Sequence, residues 1–160
     1  MATSPRRRTP EQIFKAAEEK IERARLRQAT HLNLGERRRS LRRFPSLAGL
    51  THLRSIKAPW TGIIDLAALA DLPQLESLDL SGTPVWDLSP LKALSNLTSL
   101  FLVMSSVVDL TPLRGLKKLT LLDISLTKVQ RWSHLVRQPA KVDSPMQRMI
   151  HHEDAETVFG

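Results

Sequence analysis

The chain has no cysteine and no tyrosine, and aromatic residues fill only 4% of its 160 positions. Without cysteine there is no disulfide, no thiol nucleophile and no cysteine-based zinc site. Nothing demands an oxidising compartment, so the cytoplasm is the expected location. With aromatics this sparse, the stacking platforms of single-strand nucleic-acid binders are missing. No run of about 18 apolar residues occurs, which excludes a helical membrane span. Arg6-Arg7-Arg8 is followed by no apolar stretch and does not read as a secretory signal. No acid–base pair, phosphate loop or metal constellation stands out, so neither catalysis nor a cofactor is expected. His151-His152-Glu153-Asp154 is a weak exception, because adjacent residues rarely converge on one ion.

What the chain does have is a period of 22 residues from Leu53 to Leu135. Seven apolar columns recur in step. The first three are Leu53, Leu75, Leu97 and Leu119; Ile56, Leu78, Leu100 and Leu122; and Ala58, Leu80, Leu102 and Ile124. Ile63, Val85, Val107 and Val129 form the next, followed by Leu66, Leu88, Leu110 and Trp132. The last two are Leu69, Leu91, Leu113 and Leu135, and Leu72, Leu94 and Leu116. All 27 positions are apolar in a chain that is 41% hydrophobic. For a fixed register that is a coincidence of roughly one in 10^10, so the repeat is genuine.

Each unit carries its own structural signals. Ser77 to Ser81 alternates polar and apolar, the period of a strand with one face buried, placing Leu78 and Leu80 inward. Ser81-Gly82-Thr83-Pro84 has turn composition. Ser89-Pro90 and Thr111-Pro112 read as capped starts of helices one turn long, 3₁₀ in type. A single unit cannot bury its own apolar face, but stacked units can, with strands pairing in parallel at about 4.8 Å.

The motif V-x-D-L-[ST]-P-L-x-x-L, at Val85–Leu94 and Val107–Leu116, resembles the leucine-rich repeat superfamily. The likeness is to the 22-residue class seen in bacterial internalins and in a regulatory subunit of protein phosphatase 1. It covers residues 29–135. Thr61, Thr83, Ser105 and Thr127 stand where that family usually places Asn. The resemblance implies an α/β repeat: a short leucine-rich repeat solenoid with a parallel sheet on its concave side and short 3₁₀ or α turns on its convex side. It also implies protein binding through the concave sheet.

The ends depart from the period. Residues 1–8 are expected to be a basic disordered tail. Residues 9–28 read as an amphipathic helix capping the solenoid, with Thr9, Pro10 and Gln12 forming a capping box and Ile13, Ala17, Ile21 and Ala24 a stripe. A membrane-lying helix is the alternative. Residues 29–50 form a degenerate first coil, with two extra residues before Leu41, and full coils start near 51, 73, 95 and 117. Beyond Leu135 the pattern fails at Gln138-Pro139, leaving 136–160 as a cap or a loose tail.

Outward residues of a solenoid align in columns, and those columns carry the functional expectations. Lys57, Asp79, Phe101 and Asp123 form a central row, with Trp60, Gly82, Met104 and Leu126 at the rim. Lys57, Trp60, Asp79, Phe101, Met104, Asp123 and Leu126 are the expected partner-binding residues. The column Thr61, Thr83, Ser105, Thr127 is expected to bond backbone groups of adjacent coils. Asp65, Asp87 and Asp109 are expected to hold the turns before the short helices, not calcium, since coils lie too far apart for shared ligation.

Charge is uneven. The net charge is +8, yet residues 1–60 carry 15 Lys and Arg against 5 acids, and residues 61–160 carry 9 against 11. Arg37, Arg38, Arg39, Arg42, Arg43 and Arg54 make the basic end. It suits an acidic protein or peptide, and alternatively nucleic acid or anionic membrane. A translocated effector is a third reading that residues 1–8 permit. The oligomeric state is left open.

Overall fold

The computed structural model describes residues 8–35 and 40–130. Arg37–Arg39, Trp132, Leu135, the segment 136–160 with its histidines, and all but Arg8 of the tail 1–8 lie outside the described residues.

Helix α1 spans Pro10–Leu26. Thr9 and Gln12 cap it reciprocally: the Gln12 N–H donates to Thr9 Oγ1 at 3.3 Å, and the Thr9 N–H to Gln12 Oε1 at 3.0 Å. Ile13, Ala17, Ile21 and Ala24 are buried along one stripe and pack α1 against the first strand. Arg25 fastens the helix to the first coil, its Nε and Nη2 donating to the Ala48 carbonyl at 3.2 and 3.0 Å.

Five parallel strands follow, in sequence order within one sheet: β1 His31–Asn33, β2 Ser55–Lys57, β3 Ser77–Asp79, β4 Ser99–Phe101 and β5 Leu121–Asp123. Their register matches the repeat. Ile56 lies beside Leu78, Leu78 beside Leu100, and Leu100 beside Leu122. The first coil is offset: Leu32 pairs with Ile56, 24 residues on, whereas Arg43 bridges Asp65, 22 on. The two extra residues are thus absorbed between β1 and Arg42.

The strands are shorter than the expected Ser77–Ser81. Ladder bonds do continue, from the Ala58 N–H to Asp79 O at 2.8 Å and from the Trp60 N–H to Ser81 O at 2.7 Å. The extended conformation stops at Trp60, Gly82, Met104 and Leu126, where φ is +59°, +69°, +54° and +58°. That left-handed turn bends the chain off the sheet at the same place in every full coil.

On the far side lie 3₁₀ turns at Ala67–Leu69, Ser89–Ala93 and Thr111–Gly115. Their caps differ from expectation. Ser89 and Thr111 are the first residues of their turns and make no side-chain cap. Instead the N–H groups of Ala67, Ser89 and Thr111 each donate to the Oδ1 of Asp65, Asp87 or Asp109, two residues earlier, at 2.8 Å. An aspartate two residues earlier closes a local ring onto that amide, which Ser89 and Thr111 carry themselves.

The leucines between these layers are sealed: Leu53, Ile56, Leu75, Leu78, Leu97 and Leu100 have no exposed surface. The hydroxyl column lines this core and corrects one expectation. Its bonds run within a coil, not between coils. Thr61, Thr83 and Thr127 donate to the carbonyls of Ala58, Leu80 and Ile124 at 2.9, 2.6 and 2.6 Å. The left-handed turn folds each of these three hydroxyls back on the carbonyl three residues earlier. Ser105 is buried too, but its Oγ has no partner.

Candidate functional site: the sheet face, its rim and the flank beyond

The sheet face is built from two outward rows. One is His31, Ser55, Ser77, Ser99 and Leu121; the other is Asn33, Lys57, Asp79, Phe101 and Asp123. Adjacent members are one strand spacing apart, about 4.8 Å. Lys57 is exposed, while Asp79, Phe101 and Asp123 are half-buried. The carboxylates are not free-swinging. Asp79 Oδ1 accepts the Ser81 N–H at 3.0 Å, and Asp123 Oδ1 accepts both the N–H and hydroxyl of Ser125 at 3.0 and 2.7 Å. Asn33 makes the equivalent bond to the Gly35 N–H at 2.9 Å. These side chains turn the chain at the strand end and present fixed acceptors on the face. The spacing Asp-x-Ser was the available signal for this double role.

The rim is the left-handed column. Only Gly82 there is a residue at ease with positive φ. Trp60, Met104 and Leu126 hold it against steric cost, and all three are exposed. The Trp60 indole lies over Gly82: a Cβ built on Gly82 would stand 2.2 Å from Trp60 Cε3. The glycine therefore makes room for the ring as well as the turn.

Beyond the rim the chain again alternates. Thr83 and Val85 point in, Trp86 points out; Ser105 and Val107 point in, Val108 points out. Ile64, Trp86 and Val108 thereby form an exposed apolar column, flanked by Asp65, Asp87 and Asp109 in the next one. The column escaped the sequence reading, although the same period exposes it as the variable residue of V-x-D. The Ser89 N–H, then its hydroxyl, and more weakly the charge of Lys92, hold the Asp87 carboxyl below the ordinary carboxylate range.

The basic residues do not form one patch among those described. Arg42 and Arg43 sit together past the exit edge of the sheet, with the Arg43 guanidinium 5.2 Å above the Phe14 ring. Arg54 stands at the entry edge. It donates to the Gln74 carbonyl at 3.2 Å and pairs with Glu76 at 3.7 Å. A shallow cleft of about 440 Å³ between α1 and the first coil is lined by Phe14, Glu18, Arg43 and Asp65 among others. No group of His, Cys, Asp or Glu among the described residues is arranged to hold a metal. No described helix is long and apolar enough to cross a membrane.

No protein-family model and no curated protein matches the chain in sequence. Solved structures do match it in shape. An internalin (inlF) from Listeria monocytogenes superposes with TM-score 0.56 at 21% identity, over 79% of this chain and 45% of its own. Internalin C2 from the same organism gives 0.52 at 22% identity, over 84% of this chain and 75% of its own. The Drosophila melanogaster SNF/U2A′ complex gives 0.52 at 24% identity, over 62% and 59%. The chain has the leucine-rich repeat fold. It spans under half the length of the first of these internalins.

Proposed function

We propose that this chain is a non-catalytic module that binds a partner protein or peptide across the concave sheet and its rim. The observation carrying this is the placement of large apolar side chains on the outward sheet face and its rim. Phe101 sits on the solvent side of the sheet between Asp79 and Asp123. Three residues further along its coil, Met104 is exposed on left-handed backbone, as are Trp60 and Leu126 in theirs. Strain retained at an exposed apolar position points to use by a partner. Lys57 and the two fixed carboxylates supply the polar register around that patch. The Drosophila neighbour is a complex of two proteins, and an association of that kind is proposed for this chain.

The runner-up is an adaptor that holds nucleic acid or anionic membrane through the basic end. It is favoured by the charge of residues 1–60 and disfavoured by the separation of Arg42 and Arg43 from the already paired Arg54. Salt separates the two, since phosphate-driven binding falls steeply between about 50 and 200 mM. The direct test is affinity capture from native cell extract by wild type and by Phe101→Asp, with the fold checked by circular dichroism. Loss of a specific captured protein supports the sheet; unchanged capture by a folded variant overturns it.

A further inference from the structure

The flank beyond the rim carries apolar surface that the sheet-face reading does not use. Trp86 is 61% exposed, Ile64 45% and Val108 44%. They occupy one column in three successive coils, and backbone bonds fix the same strip: the Ile64 N–H donates to Arg42 O at 3.2 Å, and the Gln130 N–H to Val108 O at 2.9 Å. Exposed aromatic and aliphatic groups held on rigid backbone are the kind of anchor that interfaces use.

Spacing and charge select the occupant. Successive anchors are one coil apart, about 4.8 Å. An α-helix laid along the stack presents an apolar side chain every turn, about 5.4 Å, a near match over three coils. A single extended strand repeats its same-face side chains at about 6.6 Å and falls out of step after one coil. Along one border of the strip run Asp65, Asp87 and Asp109, which would meet basic side chains on that helix.

We propose that this flank is a second docking surface for an amphipathic α-helix of a partner protein. Its apolar stripe covers Ile64, Trp86 and Val108, and its Lys or Arg side chains lie over the aspartate column. The Ser89 N–H, donating to Asp87 Oδ1 at 2.8 Å, holds that carboxylate in place beside the strip. The inference does not rest on the sheet-face reading, since neither row of the sheet takes part.

The test uses the full chain and a fluorescein-labelled synthetic helix of about 14 residues. Leucine recurs at successive turns on one side, with lysine beside it. One control peptide has glutamate in place of lysine; another has the same composition in shuffled order. Fluorescence anisotropy is expected to show binding that weakens about tenfold or more for either control and for Trp86→Glu, while Phe101→Asp leaves it unchanged. Trp86→Ala, which brings in no charge, is expected to weaken it in the same direction. Failure to bind, equal binding of the shuffled peptide, or loss with Phe101→Asp but not with Trp86→Glu overturns the proposal. So does a dimer in sedimentation that Trp86→Glu dissociates, which would assign the flank to a second copy. Finally, ¹⁹F NMR of 5-fluorotryptophan protein, with Trp86 assigned by Trp86→Phe, reads its access to a paramagnetic quencher. A shielded Trp86 in the free monomer would assign the flank to residues 131–160 and likewise overturn the proposal.

Discussion

Replacing Gly82 by alanine tests how the rim is built. Two costs arise at once. The backbone at φ +69° is unfavourable for any residue with a Cβ, by about 1–2 kcal/mol. The new methyl would also stand 2.2, 2.6 and 2.7 Å from Cε3, Cδ2 and Cζ3 of Trp60, so the indole must leave its seat. Forcing such a rearrangement adds about 1–3 kcal/mol. Gly82→Ala is therefore expected to destabilise the chain by about 2–5 kcal/mol. The two costs are separable. In a Trp60→Ala background the clash is gone and only the backbone cost remains, about 1–2 kcal/mol. The double-mutant cycle should show a coupling of about 1–3 kcal/mol. Urea denaturation followed by circular dichroism gives each value from the midpoint and slope. Additivity of the two substitutions within about 0.5 kcal/mol would refute the packing of Trp60 on Gly82. A neutral Gly82→Ala would refute the left-handed turn as well.

The hydroxyl column offers a contrast between equivalent positions. Thr83→Val removes the bond to the Leu80 carbonyl and should cost about 1 kcal/mol, whereas Ser105→Ala removes an unpartnered buried hydroxyl and should change stability by under about 0.5 kcal/mol. Equal losses in chemical denaturation would contradict the assignment. Leu126→Gly relieves positive φ at an exposed site and is expected to leave stability unchanged or raise it by up to about 1 kcal/mol, while weakening partner capture. A marked drop in melting temperature would show that Leu126 packs after all. Asp87 supplies a pH dependence whose sign follows from its lowered carboxyl. Its contribution is present above the ordinary aspartate range and is lost as pH falls through the lower folded value. Wild type should therefore lose its advantage over Asp87→Asn on acidification, seen as converging melting temperatures; an advantage that grows toward low pH would reverse the assignment.

How much of this was legible in the sequence depended on what periodicity carries. A 22-residue repeat of leucines dictates which residues share a column, and this fixes the strand register: Ile56, Leu78, Leu100 and Leu122 pair as the period requires. The extra residues before Leu41 were visible in the same way. Local direction was not. A column of hydroxyls has the same spacing whether it bonds along the chain or across it, and only the left-handed turn decides. That turn was itself disguised, because Trp60, Met104 and Leu126 contradict the preference that Gly82 alone displays. Before the 3₁₀ turns, the caps that Ser89 and Thr111 suggest in the sequence are replaced by Asp87 and Asp109, which accept the Ser89 and Thr111 N–H groups. On the sheet face, the placement of Lys57, Asp79, Phe101 and Asp123 in one row followed from the period, while the tethering of both carboxylates depended on bonds two residues ahead.

The separation between inner leucines and outer rows has an evolutionary consequence. Phe101 on the sheet can be exchanged by itself, because the sealed Leu100 and Leu102 beside it keep the backbone where it is. A lineage can therefore rewrite the outer surface one letter at a time and lengthen the text by duplicating a coil, with each intermediate still folded.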